Sequence, residues 1–200
     1  MNSEKIIIGS VEWCSFPQIN IPTIKARIDS GAKTSALHAI NISSFKKDGI
    51  LWVGFDVHPI QNDGRTVVHC EAPVFDKRKI KNSSGNSELR FVIKTVLSIA
   101  DNTWEVELTL ANRDSMGHRM LLGRQAMSGK MLVDPESSYL LGEPTQDLLE
   151  KHYHSKVVKI SGLKIGILAS NPNLYSNRRI IEAGQQRGHS IEFLNIKDCY

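Results

Sequence analysis

Residues 27–36 read RIDSGAKTSA: an acid, Asp29, ends an alternating apolar run and is followed by a hydroxyl, Ser30, and a glycine, Gly31. A carboxylate delivered to a strand end can take or give a proton in a reaction. The same triplet is also an ordinary turn, because Asp, Ser and Gly each favour turns for local reasons. Two features shift the reading toward chemistry. The strand in front, Ile24-Lys25-Ala26-Arg27-Ile28, would carry Asp29 to a strand end facing a cleft. Downstream, HRMLLGRQAM at 118–127 is an apolar strand running into Gly123-Arg124 and a helix start.

The elements around these segments are mostly strands. KIIIGSVEW and TIKARID are short β-branched runs, and ILWVGFDVHPI (50–60) and TVVHCEAPVF (66–75) flank QNDG, where Asp63-Gly64 signals a hairpin. RKIK and LRFVIKTVLSIA flank the polar tip NSSGNS, and TWEVELTLA puts Trp104, Val106, Leu108 and Leu110 on one face. This spacing predicts a mainly β barrel or sandwich over 1–142, with one short helix around 123–130. Residues 143–161 read as a linker with a single helical turn. From 162 to 200 the pattern becomes strand, helix, strand: LKIGILAS, NRRIIEAGQQRGH stopped by Gly188, and SIEFLNI. That is one βαβ unit of a doubly wound domain, too small to cover both faces of its sheet.

Composition narrows the classes. The chain has 200 residues, 40% apolar and 23% charged, with no apolar run near the roughly 20 residues that span a bilayer. Three scattered cysteines suggest no disulfide framework, and the N-terminus has no secretory layout, so a cytoplasmic location is expected. A net charge of +4 invites nucleic acid as a partner. The one dense basic run, FDKRKIK at 75–81, has no interleaved aromatics and reads as a solvated hairpin face, so nucleic acid is not the expected partner.

At the level of motifs the chain resembles the retropepsin-like aspartic peptidases. ARIDSGA and MLLGRQAM match that family's hydrophobic D-[ST]-G-A segment and its later hydrophobic G-R segment, in the same order. The likeness is closer still to the bacterial retropepsin-like domain known as an ATP-dependent zinc protease, through WVGFDVHP, CEAPV, ELTLANRDSMGHRMLLGR and LVDP. That domain occurs alone or beside an ATP-grasp glutamate ligase that modifies a ribosomal protein, and residues 162–200 resemble the start of such a ligase.

The resemblance implies a retropepsin-like barrel with Asp29 as catalytic residue and a peptide or protein substrate. In such enzymes a pair of aspartates shares one proton and activates water. This chain supplies one such aspartate, since neither NDG (62–64) nor RDSMG (113–117) repeats the pattern, so a homodimer is required. Ser30 would brace the two loops, and Gly31 would offer its N–H to the carboxylate. Ala32, lacking a hydroxyl, implies a pair that works nearer neutral pH. Gly123 and Arg124 would support the loop. Lys33 stands where retroviral enzymes carry the acid that partners this arginine, so Arg124 must find another partner. The expected flap tip is Asn82, Ser83, Ser84, Gly85 and Asn86.

No HExxH or Walker A pattern occurs, and His38, His58, His69 and His118 sit apart in sequence; two of them could meet in space with Cys70 or Glu71, but each alone reads as a surface or satisfied core histidine. No metal and no cofactor are expected, and the resemblance puts the ligase's ATP-binding part beyond residue 200. The alternative function is a non-catalytic module that binds a peptide tail for an attached ligase.

Overall fold

A computed structural model of the chain describes residues 5–61, 63–81, 87–112, 117–153, 163–186 and 189–198. It divides into two units, residues 1–155 and 156–200.

The first unit is built from strands β1 (Ile6–Ile8), β2 (Val11–Phe16), β3 (Ile21–Asp29), β4 (Ser35–His38), β5 (Ile40–Lys47), β6 (Ile50–Val57), β7 (Val68–Lys81), β8 (Ser87–Ile99), β9 (Asn102–Ala111), β10 (Met120–Gly123) and β11 (Met131–Val133). Nine of them form one sheet in the order β2-β3-β10-β4-β9-β8-β7-β6-β5. β2 also pairs with β8, through Ser15 and Ser98, so the sheet curls back on itself toward a barrel. Its inward faces supply the core: Phe16, Ile24, Leu37, Leu97, Leu108, Met120 and Leu122 are all essentially inaccessible to water. β1 and β11 form a separate parallel pair.

Several local readings are refined. KIIIGSVEW is two strands, because the chain breaks at Gly9-Ser10 to leave β1 and enter β2. The tight hairpin falls at Asp48-Gly49, where both residues have positive φ, while β6 and β7 are joined by the longer 58–67 connection. The expected short helix is α1 (Arg124–Met127). Within 143–161 the single expected turn is instead a two-turn helix, α2 (Gln146–Tyr153). The Tyr153 hydroxyl donates to the Thr23 carbonyl, and its ring is buried, so a tertiary anchor holds the helix. Glu12, fully buried, accepts N–H groups from Gly9 at 2.7 Å and Leu140 at 2.9 Å, tying the 137–142 segment to β2.

The second unit is β12 (Lys164–Ala169), α3 (Tyr175–Gln186) and β13 (Ser190–Asn195), with the two strands parallel and in register from Lys164↔Ser190 to Ala169↔Asn195. Gly184 lets α3 lie close on the sheet, since a Cβ there would run into the Ile191 side chain. Gly188, the expected helix stop, lies outside the described residues. Among the described residues no helix is long and apolar enough to cross a membrane.

Candidate functional site

Asp29 is the last residue of β3. The Asp29 Oδ1 atom accepts the backbone N–H groups of Gly31 and Ala32, each at 3.0 Å. Two donors on one oxygen fix the carboxylate by closing the tight loop around it. Oδ2 accepts no hydrogen bond from the described residues. Ser30 is exposed at the loop's tip.

The loop is held from below by β10. This short strand runs parallel to β3 and antiparallel to β4, with Gly123 beside Asp29 in register. A Cβ at Gly123 would lie 2.7 Å from the Thr34 carbonyl carbon, a backbone atom, so only glycine permits the approach. The Gly123 N–H donates to Ser35 Oγ at 3.0 Å, and the Ser35 carbonyl accepts from Thr109 Oγ1. The backbone N–H groups of Arg124 and Gln125 donate to the carbonyls of Ala32 and Lys33, both at 3.0 Å.

Arg124 does find a different partner from the acid of the retroviral pattern. Its guanidinium donates to the carbonyls of Gly31 at 3.0 Å and Ser30 at 3.3 Å. The charge therefore grips loop backbone directly, and Lys33 is left free to face the cleft.

That cleft has a volume of about 860 Å³, and its walls include Asp29, Lys33, Ala36, Arg78, Lys79, Ile80, Arg90, Glu107, Thr109 and Leu121. Four cations and two carboxylates are among them. The basic run at 75–81 thus needs correction as a solvated face: Lys77 stays exposed, but Arg78 and Ile80 turn inward by the alternation of β7. Arg78 and Arg90 are directly opposite each other on β7 and β8. Like charges in that position repel, and carboxylates offset the repulsion. Arg78 bonds Asp76 and Glu107, each at 2.5 Å, and Arg90 bonds Glu88 at 2.9 Å. The bonds to Arg78 and to the Lys77 N–H hold the Asp76 carboxyl below its ordinary range. The Arg90 side chain is only 5% exposed.

β7 and β8 form the hairpin expected to carry the flap; Asn82, Ser83, Ser84, Gly85 and Asn86 at its tip lie outside the described residues, as do 113–116 of the RDSMG segment. The sequence reading missed the arginine pair. Its signal was the long alternation across 68–81, which forces every second residue of a basic run onto the inner face.

For a metal, the histidines do not converge. His69 Nδ1 lies 2.6 Å from Asp56, and His58 Nδ1 lies 3.0 Å from the Thr66 carbonyl. Among the described residues no three His, Cys, Asp or Glu side chains are grouped to hold an ion. Cys14 and Cys70 are buried, and burial pushes both thiols up to about 12, far from a reactive thiolate.

A β barrel whose acid-bearing loop is buttressed by a glycine-arginine strand is a retropepsin-like domain. The chain belongs to the family of the retropepsin-like aspartic endopeptidase RimB, whose model matches residues 7–144. Residues 163–200 match the pre-ATP-grasp domain of RimK. The whole chain is 60% identical to a "Probable alpha-L-glutamate ligase" of Shewanella pealeana, and covers 44% of that protein. A Desulfotalea psychrophila protein of the same description is 58% identical over 98% of this chain, which covers 42% of it. The chain thus spans less than half the length of these relatives. A solved structure from Legionella pneumophila, of unknown function, is similar with a TM-score of 0.59 and 28% identity. That likeness covers 69% of this chain and 99% of the other.

Proposed function

We propose that residues 1–142 are one half of an aspartic peptidase that cleaves acidic peptides, with residues 143–161 leading to a ligase-type segment at 162–200. Asp29 is the catalytic residue, and a second copy supplies the other aspartate across a two-fold axis. The observation that carries this reading is the Asp29 carboxylate, held on one oxygen by two backbone N–H groups in the wall of a peptide-sized cleft.

Two carboxylates about 3 Å apart share a single proton, because both cannot ionise at that distance. The ionised member takes a proton from water as the water oxygen adds to the peptide carbonyl. The protonated member gives its proton to the carbonyl oxygen. Collapse of the adduct breaks the C–N bond, the amine leaves with the first proton, and the second returns to its carboxylate. No metal and no covalent intermediate enter.

Substrate charge follows from the cleft. Arg78 is already held by Asp76 and Glu107 and Arg90 by Glu88, so Lys33 and Lys79 are the wall cations with no carboxylate partner among the described residues, and they favour an acidic ligand. The relatives' description as glutamate ligases fits, since a glutamyl chain is what such an enzyme would make. A cytoplasmic, bacterial setting goes with that partnership.

The second reading is a binding module that grips such a chain without cutting it. The match of 163–200 to a ligase's opening domain favours it. Replacing Asp29→Asn separates the two. Cleavage of an oligoglutamate peptide should vanish while binding of the same peptide persists. Wild-type protein that binds oligoglutamate but never cleaves it, at any protein concentration, would leave the module.

A further inference from the structure

β2, β3 and β10 share a face that continues from the site. By the alternation of the strands, Asp29, Arg27 and Lys25 point to one side of β3. Arg27 stands beside Leu121 in register, and Leu121 lines the cleft. Lys25 stands opposite Trp13, and its ammonium lies 5.1 Å from the Trp13 ring and 5.0 Å from the Tyr139 ring. Arg119 directly precedes Met120, which pairs with Ala26, so its backbone lies at the Lys25 end of the β3–β10 pair.

This face is short of acceptors. Among the described residues, Lys25, Arg27, His118 and Arg119 form no ion pair with a carboxylate. Two buried donors on it, Trp13 Nε1 and Arg119 Nε, have no hydrogen-bond partner among the described residues. Buried donors left unpaired are costly, and natural proteins hold few of them. The His118 imidazole is held below its usual value by burial, then by Arg27 and Lys25, which shows that the positive groups act on one another.

We infer that this strip, Lys25, Arg27, His118 and Arg119 beside Trp13, is an exosite for the part of an acidic polypeptide that runs on from the cleft. An extended chain covers roughly 13 Å over the four residues from Asp29 to Lys25, at about 3.3 Å per residue. Successive side-chain carboxylates of the ligand pair with Lys25, Arg27 and Arg119, cations that have no carboxylate partner among the described residues. The inference rests on the acidic-peptide reading of the cleft, but concerns chain length, which the cleft alone does not select.

The test compares labelled oligoglutamates of about four and about twelve residues, roughly 13 Å and roughly 40 Å when extended, so that only the longer can fill the cleft and the strip together. Binding to the full chain carrying Asp29→Asn is read by anisotropy. The Lys25→Gln/Arg27→Glu variant should reduce the ratio of long- to short-chain affinity about tenfold, the scale of a few charge-assisted contacts. Arg27 is exposed, so Arg27→Glu alone serves if the double variant folds poorly. Lys33→Gln, in the cleft wall, should weaken both probes alike. An unchanged ratio in the Arg27 variants overturns the exosite while a weakened Lys33 variant leaves the cleft reading intact. The reverse pattern sinks the cleft reading, and with it an exosite that continues the cleft. A single-stranded oligonucleotide bound through Arg27 more tightly than oligoglutamate overturns the choice of polypeptide.

Discussion

The two units put the same kinds of residue to different use. In the first, a curled nine-stranded sheet closes on its own core, and Leu97 is wholly buried. In the second, two parallel strands carry one helix, and Leu168 and Leu194 stand 57% and 42% exposed on the sheet's other face. A sheet of alternating residues can bury one side by curling. A parallel pair needs a crossover helix on one side and further elements on the other. The lesson is that stability and site both reside in residues 1–155, while 163–198 form a unit whose apolar face is unfinished among the described residues.

The sharpest way to break this contrast is Gly123→Val. The side chain would collide with the Thr34–Ser35 backbone, and unit-one stability should fall by about 3–5 kcal/mol, the scale of severe core strain. Hydrogen exchange should show the loss in β3, β4 and β10 and leave β12 and β13 unchanged; equal loss in both units would end the claim of separate stability. Next comes a matched pair, Leu97→Ala and Leu168→Ala. The first should cost about 3 kcal/mol by denaturant unfolding, whereas the second should stay within about 0.5 kcal/mol. A comparable cost at Leu168 would mean that its face is covered after all.

Tyr153→Phe removes only the hydroxyl that bonds Thr23, and should lower unit-one stability by about 1 kcal/mol. No change in the unfolding midpoint would make α2 a passive tether. The smallest effect is pH-dependent and belongs to the first unit. The Ser137 hydroxyl and Glu136 N–H hold the Asp134 carboxyl below its usual 3.8. For Asp56, burial raises the carboxyl, but bonds from Asn41 and His69 outweigh it and the net direction is also down from 3.8. Groups lowered on folding stabilise the native state fully above the unfolded value. Their contribution should fade as pH drops below 3.8 through the folded values, seen as a declining melting temperature of the barrel. A melting temperature that rises over that range would contradict the assignment.

Much of the local grammar was legible. Asp29 with Gly31, the Gly123-Arg124 strand end and the βαβ pattern all rest on short-range spacing, and the structure arranges them as that spacing implies. What escaped was set by distant partners. Nothing around Arg78 announces that Arg90 lies across from it, because strand register is decided by the whole hairpin. The 143–161 segment read as a linker since a two-turn helix has little intrinsic stability, and its anchor is a hydroxyl bonded to Thr23 far back in the chain. Arg124 shows both sides. Its place in the motif marked it as a support, but the missing acid hid that it grips carbonyls.

The insertion of β10 between β3 and β4 also has a temporal meaning. Arg124 reaches Ser30 across 94 positions of sequence. Contacts so far apart close late, after more local hairpins have formed. Until β10 docks, the Asp29 loop has only its own local bonds from Gly31 and Ala32, and the long-range support from Gly123 and Arg124 comes with that strand.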